Sequence, residues 1–335
     1  MPHTRAQQEV MPTILITGGA GFIGLNITEH LLGRGINVVC YSLAAPPQPF
    51  IRAVEGLPGH LSIVEGDVCD PVALKVALQQ FKVGVLIHGA AITADIHRER
   101  TDPARIFAVN LGGTLNVLEA ATQCALAQVI VLGSGAVFGA ASPTDEFLDE
   151  TRHIPVPDSH YGISKYAAER LSVRYRSTRQ LCTSVVRLGT CFGRWEYATG
   201  VRDTLSIPLG LTQMAETGGH AVLGPQLPVD WVYADDVATG VAKMLATTPK
   251  EPVYHLSSGQ RWDALDWCKL LAEAFPGFTY EISDDPEKIN IGRSAPTPRP
   301  PFAIGRMETE FGFRPAFTGS AAFEHYIRWR ARCAI

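Results

Sequence analysis

Nowhere does this sequence hold the roughly 18 consecutive apolar residues that a membrane-spanning helix needs. Its apolar runs are short and broken by glycine, so no membrane partner is expected. Met1–Val10 lacks an apolar segment leading to a small-residue cleavage site; it reads as a disordered tail rather than an export signal, and a cytoplasmic location follows as an expectation. An excess of one charge is also missing. With 29 Lys and Arg against 33 Asp and Glu, the net charge of -4 offers no basic footprint, which excludes nucleic acid as an expected partner. The seven cysteines (Cys40, Cys69, Cys124, Cys182, Cys191, Cys268, Cys333) are scattered, with no Cys-x-x-Cys spacing to suggest a metal site. They read as reduced, mostly buried thiols. Cys191, just after a strand, stands where a nucleophile would, but burial is the favoured reading. No internal repeat is visible.

What is present is ordinary globular composition, 46% apolar and 19% charged, over 335 residues, enough for a large domain and a smaller appendage. Short β-branched runs alternate with longer amphipathic stretches, which is how a parallel sheet covered on both faces is written. The strands are expected at Thr13–Thr17, Asn37–Tyr41, Leu61–Glu65, Gly84–His88, Gln128–Gly133 and Cys182–Leu188. Helical spacing covers Phe22–Gly33, Val72–Gln80, Pro103–Cys124 and Tyr161–Gln180. The fold class is therefore α/β, a Rossmann-type doubly wound parallel sheet. Residues 11–188 are expected to form this dinucleotide-binding domain, with a contribution from about 229–257. Residues 189–228 and 258–335 form a C-terminal substrate-binding lobe. In that second half the pattern predicts helices near Thr204–Thr217, Asp235–Ala246, Ala264–Phe275 and Ser320–Arg332. It also predicts an isolated strand at Val229–Val232, a strand at Pro252–Leu256 and a Pro-rich connector at Ala295–Pro301.

The first strand runs into Thr17-Gly18-Gly19-Ala20-Gly21-Phe22-Ile23-Gly24 and then a helix. A turn with so few side chains lets the N–H groups of Phe22 and Ile23 and the positive helix end approach a pyrophosphate, while Gly24 permits close helix–strand packing. Where a ribose-binding acid usually ends the second strand, this sequence has Ser42, with no Arg or Lys before Arg52 to clamp a 2′-phosphate. NAD is the favoured cofactor and NADP the alternative. Asp67, followed by Val68, reads equally as an adenine-holding carboxylate or a turn residue. Gly89, Ala90 and Ala91 would let a dinucleotide lie against backbone, and Leu188, ending the sixth strand, completes the cofactor set. His88 reads as structural, since no acid–base partner is visible for it.

Tyr161 and Lys165 lie one helical turn apart on one face. A phenol titrating near pH 10 serves as acid or base near neutrality when positive charge favours its phenolate; Lys165 and an oxidised nicotinamide are the expected sources. Lys165 is also expected to hold the nicotinamide ribose. Ser134, at the carboxyl end of the fifth strand, stands where such sheets place ligands and can polarise a carbonyl or align an alcohol.

These residues resemble an extended short-chain dehydrogenase/reductase of the NAD-dependent epimerase/dehydratase family. The resemblance spans most of the chain: the 17–24 loop, Asp67-Val68, His88-Gly89-Ala90-Ala91, Asn110-Leu111-Gly112-Gly113-Thr114, Ser134-Gly135-Ala136-Val137-Phe138-Gly139, the Tyr161/Lys165 pair, Arg187-Leu188-Gly189-Thr190-Cys191-Phe192-Gly193 and Asp230-Trp231-Val232-Tyr233-Ala234-Asp235-Asp236-Val237. It implies tyrosine acid–base catalysis, hydroxyl assistance from Ser134, a cofactor contact from Asn110 and a homodimer formed through the helices at Pro103–Cys124 and Tyr161–Gln180. Two departures narrow the expectation. No Asp-Glu pair follows Ser134, which disfavours dehydration. Gly189, Thr190 and Val229 occupy places where nucleotide-sugar epimerases of the family carry Asn and Arg. In their stead comes a loop from Gly193 to Thr204, whose Arg202 is expected to meet a carboxylate and whose Trp195 and Tyr197 are expected to cover a small ring. The expected activity is hydride transfer to or from a small, polar, carbohydrate-like substrate, such as a sugar acid; the alternatives are a sugar or nucleotide-sugar epimerase and a noncatalytic dinucleotide-binding regulator.

Overall fold

Local chemistry starts and stops the elements. The computed structural model describes residues 12–139, 146–225, 228–292 and 299–333; the expected tail at Met1–Val10 and most of the Ala295–Pro301 connector lie outside them. In chain order the elements are β1 Thr13–Thr17, α1 Phe22–Gly33, β2 Val38–Ser42, α2 Gln48–Val54, β3 Leu61–Glu65, α3 Pro71–Gln80, β4 Val83–His88, α4 Ile96–Thr101, α5 Pro103–Phe107, α6 Gly113–Gln123, β5 Gln128–Ser134 and α7 His160–Arg179. There follow β6 Thr183–Leu188, β7 Thr190–Phe192, α8 Ile207–Glu216, β8 His220–Leu223, β9 Val229–Tyr233, α9 Ala234–Leu245, β10 Val253–Leu256, β11 Arg261–Trp262, α10 Ala264–Ala274, β12 Thr279–Ile282, α11 Gly305–Phe311 and α12 Ser320–Arg330. Asp70 caps α3 by accepting from the N–H groups of Val72 and Ala73, and Ser159 caps α7 by accepting from Gly162, which sets Tyr161 in that helix's first turn.

Seven strands form a parallel sheet in the order β10-β6-β5-β4-β1-β2-β3. This is the Rossmann order with one strand added, and its direction reverses between β1 and β4, where the carboxyl ends leave a crevice for ligand. Alternation along β1 fills both faces: Ile14 and Ile16 enter the core shared with α1 and α9, and Leu15 the core shared with α3 and α6. A three-stranded sheet, β11-β9-β7, and a two-stranded one, β12-β8, lie beyond it.

Three expectations differ from what is observed. The single helix read over Pro103–Cys124 is broken by a wider π turn at Ala108–Gly112, and this insertion swings Asn110 inward. Val229–Val232 is not isolated but belongs to the central strand of the three-stranded sheet, paired with β7 on one side and β11 on the other. The short elements α2, α4, β8, β12 and α11 carried too few residues for periodicity to register.

Candidate active site

The carboxyl ends of β1, β2, β4, β5 and β6 open into one cavity of about 550 Å³, within the range of small-molecule sites. Gly18, Gly21, Phe22, Ile23, Gly24, Ser42, Asp67, Val68, Gly89, Ala90, Ala91, Ser134, Tyr161, Lys165, Leu188, Tyr197 and Arg202 all line it. Trp195 and Asn110 do not.

The glycine turn is dictated sterically. Gly18 has φ +68°, and a Cβ there would stand 2.7 Å from the Ala90 nitrogen; a Cβ on Gly24 would stand 2.3 Å from the Gly18 carbonyl oxygen. Gly21, at the head of α1, supplies no side-chain cap, so the first N–H groups of that helix face the cavity without an internal acceptor. The turn is braced from two sides. Ala20 N–H donates to Ser42 Oγ at 3.0 Å, and Tyr197 Oη donates to the Ala20 carbonyl at 2.6 Å. Such a cradle fits a dinucleotide: N–H groups and a helix N-terminus for pyrophosphate, a hydroxyl at the end of β2 for ribose, and Asp67 with Val68 at the far wall. Asp67 is itself paired with Arg105 at 2.9 Å and accepts from Cys69 N–H, contacts that outweigh burial and hold its carboxyl below the usual range.

At the other end of the cavity stand Ser134, Tyr161 and Lys165. The Tyr161 phenol interacts with the hydroxyls of Ser134 and Thr93; burial pushes its pKa up, and those hydroxyls and the Arg202 guanidinium pull it partly back. The cations bearing on the phenol are therefore Arg202 and Arg299, where Lys165 was expected. Lys165 reaches the sheet instead, its Nζ donating to the Leu132 carbonyl at 2.6 Å, and burial pushes it down to about 8. His88 is buried between the hydroxyls of Thr17 (2.7 Å) and Thr114 (3.0 Å) and pushed down to about 3 by burial, which keeps it neutral and structural. Cys191 lines the cavity, but burial raises its thiol to about 12, far from a nucleophilic thiolate.

The loop residues depart from expectation. Trp195 is 1% exposed, packed edge-on to Phe50 and Trp329 with Nε1 donating to Glu29 at 2.7 Å; an apolar ring of that size fills the core beside α1 instead of covering a substrate. Tyr197 reaches the glycine turn. Arg202 enters the cavity over the Phe22 ring, but its charge is committed to the buried Glu196 at 2.6 Å. Asn110 is buried, bonded to the Ile92 N–H and carbonyl and to Ser164, so it positions the chain after β4.

Sequence reasoning missed Thr93, Arg98 and Arg299, which also line the cavity. Of its four arginines, Arg98, Arg105 and Arg202 are each paired with a carboxylate. Arg299 has no carboxylate within ion-pair distance among the described residues; it donates to the Gly135 carbonyl, and burial lowers its pKa, with the charge of Asp158 partly opposing that from farther off. Nothing in a Pro-rich connector signals this. The placement depends on Phe302, whose N–H donates to buried Asp230 and whose ring stacks on His255 at 4.2 Å.

Comparison with known proteins agrees with this geometry. The pattern of the NAD dependent epimerase/dehydratase family matches residues 14–256. A UDP-glucose 4-epimerase of Erwinia amylovora is 28% identical over 81% of this chain and 86% of its own length. A dTDP-glucose 4,6-dehydratase of Actinoplanes sp. is 25% identical, covering 94% of this chain and 97% of that protein. Among solved structures, the UDP-glucose 4-epimerase of Thermus thermophilus in complex with NAD superposes with a TM-score of 0.79 at 25% identity, covering 96% of this chain and 100% of that one.

Proposed function

This chain belongs to the NAD dependent epimerase/dehydratase family, and from that premise we propose that it transfers a hydride to or from a carbohydrate-like substrate bearing an acidic group. The observation that carries the proposal is the convergence of Ser134, Tyr161 and Lys165 at one end of a cavity whose other end is the glycine turn. Bound NAD supplies hydride acceptance and donation at its nicotinamide. The N–H groups of Phe22 and Ile23 hold its pyrophosphate, Ser42 its adenosine ribose, Asp67 and Val68 its adenine, and Lys165 its nicotinamide ribose. Tyr161 takes the proton from a substrate hydroxyl as it becomes a carbonyl, or returns one in the reverse direction. Ser134 donates to that same oxygen and orients it.

Arg299 replaces Arg202 as the anion-binding residue. A guanidinium already neutralised by Glu196 gains little from a second carboxylate, whereas one that Asp158 meets only beyond ion-pair distance gains a charge-assisted hydrogen bond. Arg299→Ala is expected to raise KM for an acidic substrate by roughly tenfold or more, the worth of about 1.5–3 kcal/mol, with less effect on a neutral analogue. Equal effects on both would remove Arg299 from this role. Dehydration is not part of the proposal, because Ser134 is followed by Gly135 and Ala136, which carry no acid, and a Cβ on Gly135 would stand 2.8 Å from the Phe302 ring.

The second reading, an epimerase that recycles its NAD, draws support from the epimerase relatives. A screen of aldonic, uronic and simple sugars with both nicotinamide cofactors separates the two. Net change in nicotinamide absorbance favours the dehydrogenase; inversion at carbon without it favours the epimerase. Seven free thiols support action in a reducing compartment such as the cytoplasm, and among the described residues no helix is long and apolar enough to cross a membrane. A homodimer through α6 and α7 is supported by Leu115 and Ile163, large apolar side chains exposed on those helices. Light scattering at micromolar concentration is expected to give twice the 36.3 kDa chain mass, and a monomer mass would refute it.

A further inference from the structure

Tyr197–Thr204 crosses the cavity as chain that is neither helix nor named strand, so its path is decided by what fastens it. Tyr197 Oη donates to the Ala20 carbonyl at 2.6 Å, tying one end to the glycine turn. Further along, Thr93 N–H donates to the Val201 carbonyl at 2.9 Å and Asp203 N–H to the Thr93 carbonyl at 3.0 Å, a short parallel bridge to the chain after β4. Arg98, on α4, then clamps Asp203 with Nε and Nη2, each at 2.6 Å, while Nη2 also donates to the Gly200 carbonyl at 3.0 Å. The pair is partly buried, with side-chain exposures of 27% and 14%, and this weakens solvent screening of its attraction. The residue next to Arg98 matters as well. Glu99 accepts the Tyr161 N–H at 3.1 Å, so the element that grips the crossing segment also caps the helix bearing the catalytic phenol.

We propose that Tyr197–Thr204 is a strap that slows departure of the dinucleotide from its cleft, with the Arg98–Asp203 pair as the lock. The proposal rests on NAD being the ligand of the glycine turn. A ligand lying between that turn and the strap leaves only when the segment lifts, and lifting it requires the lock and the bridge to Thr93 to open together. Arg98 is thus a positioning residue. It touches neither the phenol nor the glycine turn and acts by fixing Asp203.

The test is the rate at which NAD leaves the full-length protein. The holoenzyme is freed of excess NAD by rapid desalting and diluted, and the NAD still bound is quantified chromatographically over time. Arg98→Gln and Asp203→Asn are each expected to speed release at least about tenfold, as expected when a charge-assisted pair holding the bound state is lost. Their combination should add little, since both remove one lock. Arg330→Gln breaks an equally two-pronged ion pair, with Glu216, at a site that does not line the cavity, and it should release NAD at the wild-type rate. In the unaltered protein, raising the salt concentration should speed release, a measurement that does not depend on any variant folding. Bound NAD leaving Asp203→Asn at the wild-type rate would overturn the strap alone. A wild-type protein that binds no NAD would overturn the cofactor reading and the strap together.

Discussion

Tyr161→Phe is expected to lower turnover at least about a hundredfold, the usual scale of lost acid–base assistance, while leaving dinucleotide binding nearly intact. The ring is retained, so packing in the first turn of α7 is preserved and only the hydroxyl that meets Ser134 and Thr93 disappears. Steady-state rates with any substrate found in the screen, alongside dinucleotide titration, check both halves of this expectation. Unchanged turnover would take the tyrosine out of the reaction. The pKa shift gives the prediction a direction in pH. Because burial raises the phenol above its ordinary value, it stands protonated at neutrality, ready to give a proton to a carbonyl; the oxidative direction, which needs the phenolate, should accelerate as pH rises. Arg202 and Arg299, as nearby cations, limit how far up that limb lies.

The second large effect is on stability. Arg187, at the end of β6, makes two 2.7 Å bonds to Glu169 on α7, and both side chains are almost wholly buried, at 4% and 1% exposure. His255 on β10 sits 3.2 Å from the same guanidinium and is kept neutral by burial and that charge. Glu169→Gln keeps the shape and leaves the guanidinium without its counter-charge, so a loss of about 3–5 kcal/mol is expected. Urea unfolding should show this as a lower midpoint. Replacing both partners with leucine should recover much of the loss, because the uncompensated charge goes with them; a Glu169→Gln midpoint equal to the wild type would mean that the pair does not secure α7 to the sheet. The consequence reaches the site, since α7 carries Tyr161 and Lys165 and the His255 ring supports Phe302 beside Arg299.

Much of the molecule could be read from short stretches of chain. The bounds of α1 follow from a glycine turn before it and a run of apolar residues within it, and both signals are local. The pairing of Tyr161 with Lys165 is helix geometry, and Ser134 stands at a strand end because its own segment is β-branched. Those readings needed no knowledge of what lies across space. Periodicity failed where elements were too short to show it, as in α2 and α4, and at Ala108–Gly112, where an inserted residue widens the helix.

Charge availability was a different matter. From sequence, Arg202 and Trp195 looked equipped for a ligand, because an arginine and an indole in a polar loop are free until a partner is named. Folding named the partners: Glu196 for the arginine, and Glu29 with two aromatic rings for the indole. It also carried Arg299, from a connector with no recognisable motif, to the wall beside Tyr161. Spacing along the chain was thus sufficient for the fold class and for a reaction centre built on single elements. Which charges stay open to a substrate was settled only in three dimensions, since the field at a side chain is the sum over neighbours that the chain brings close from anywhere along its length.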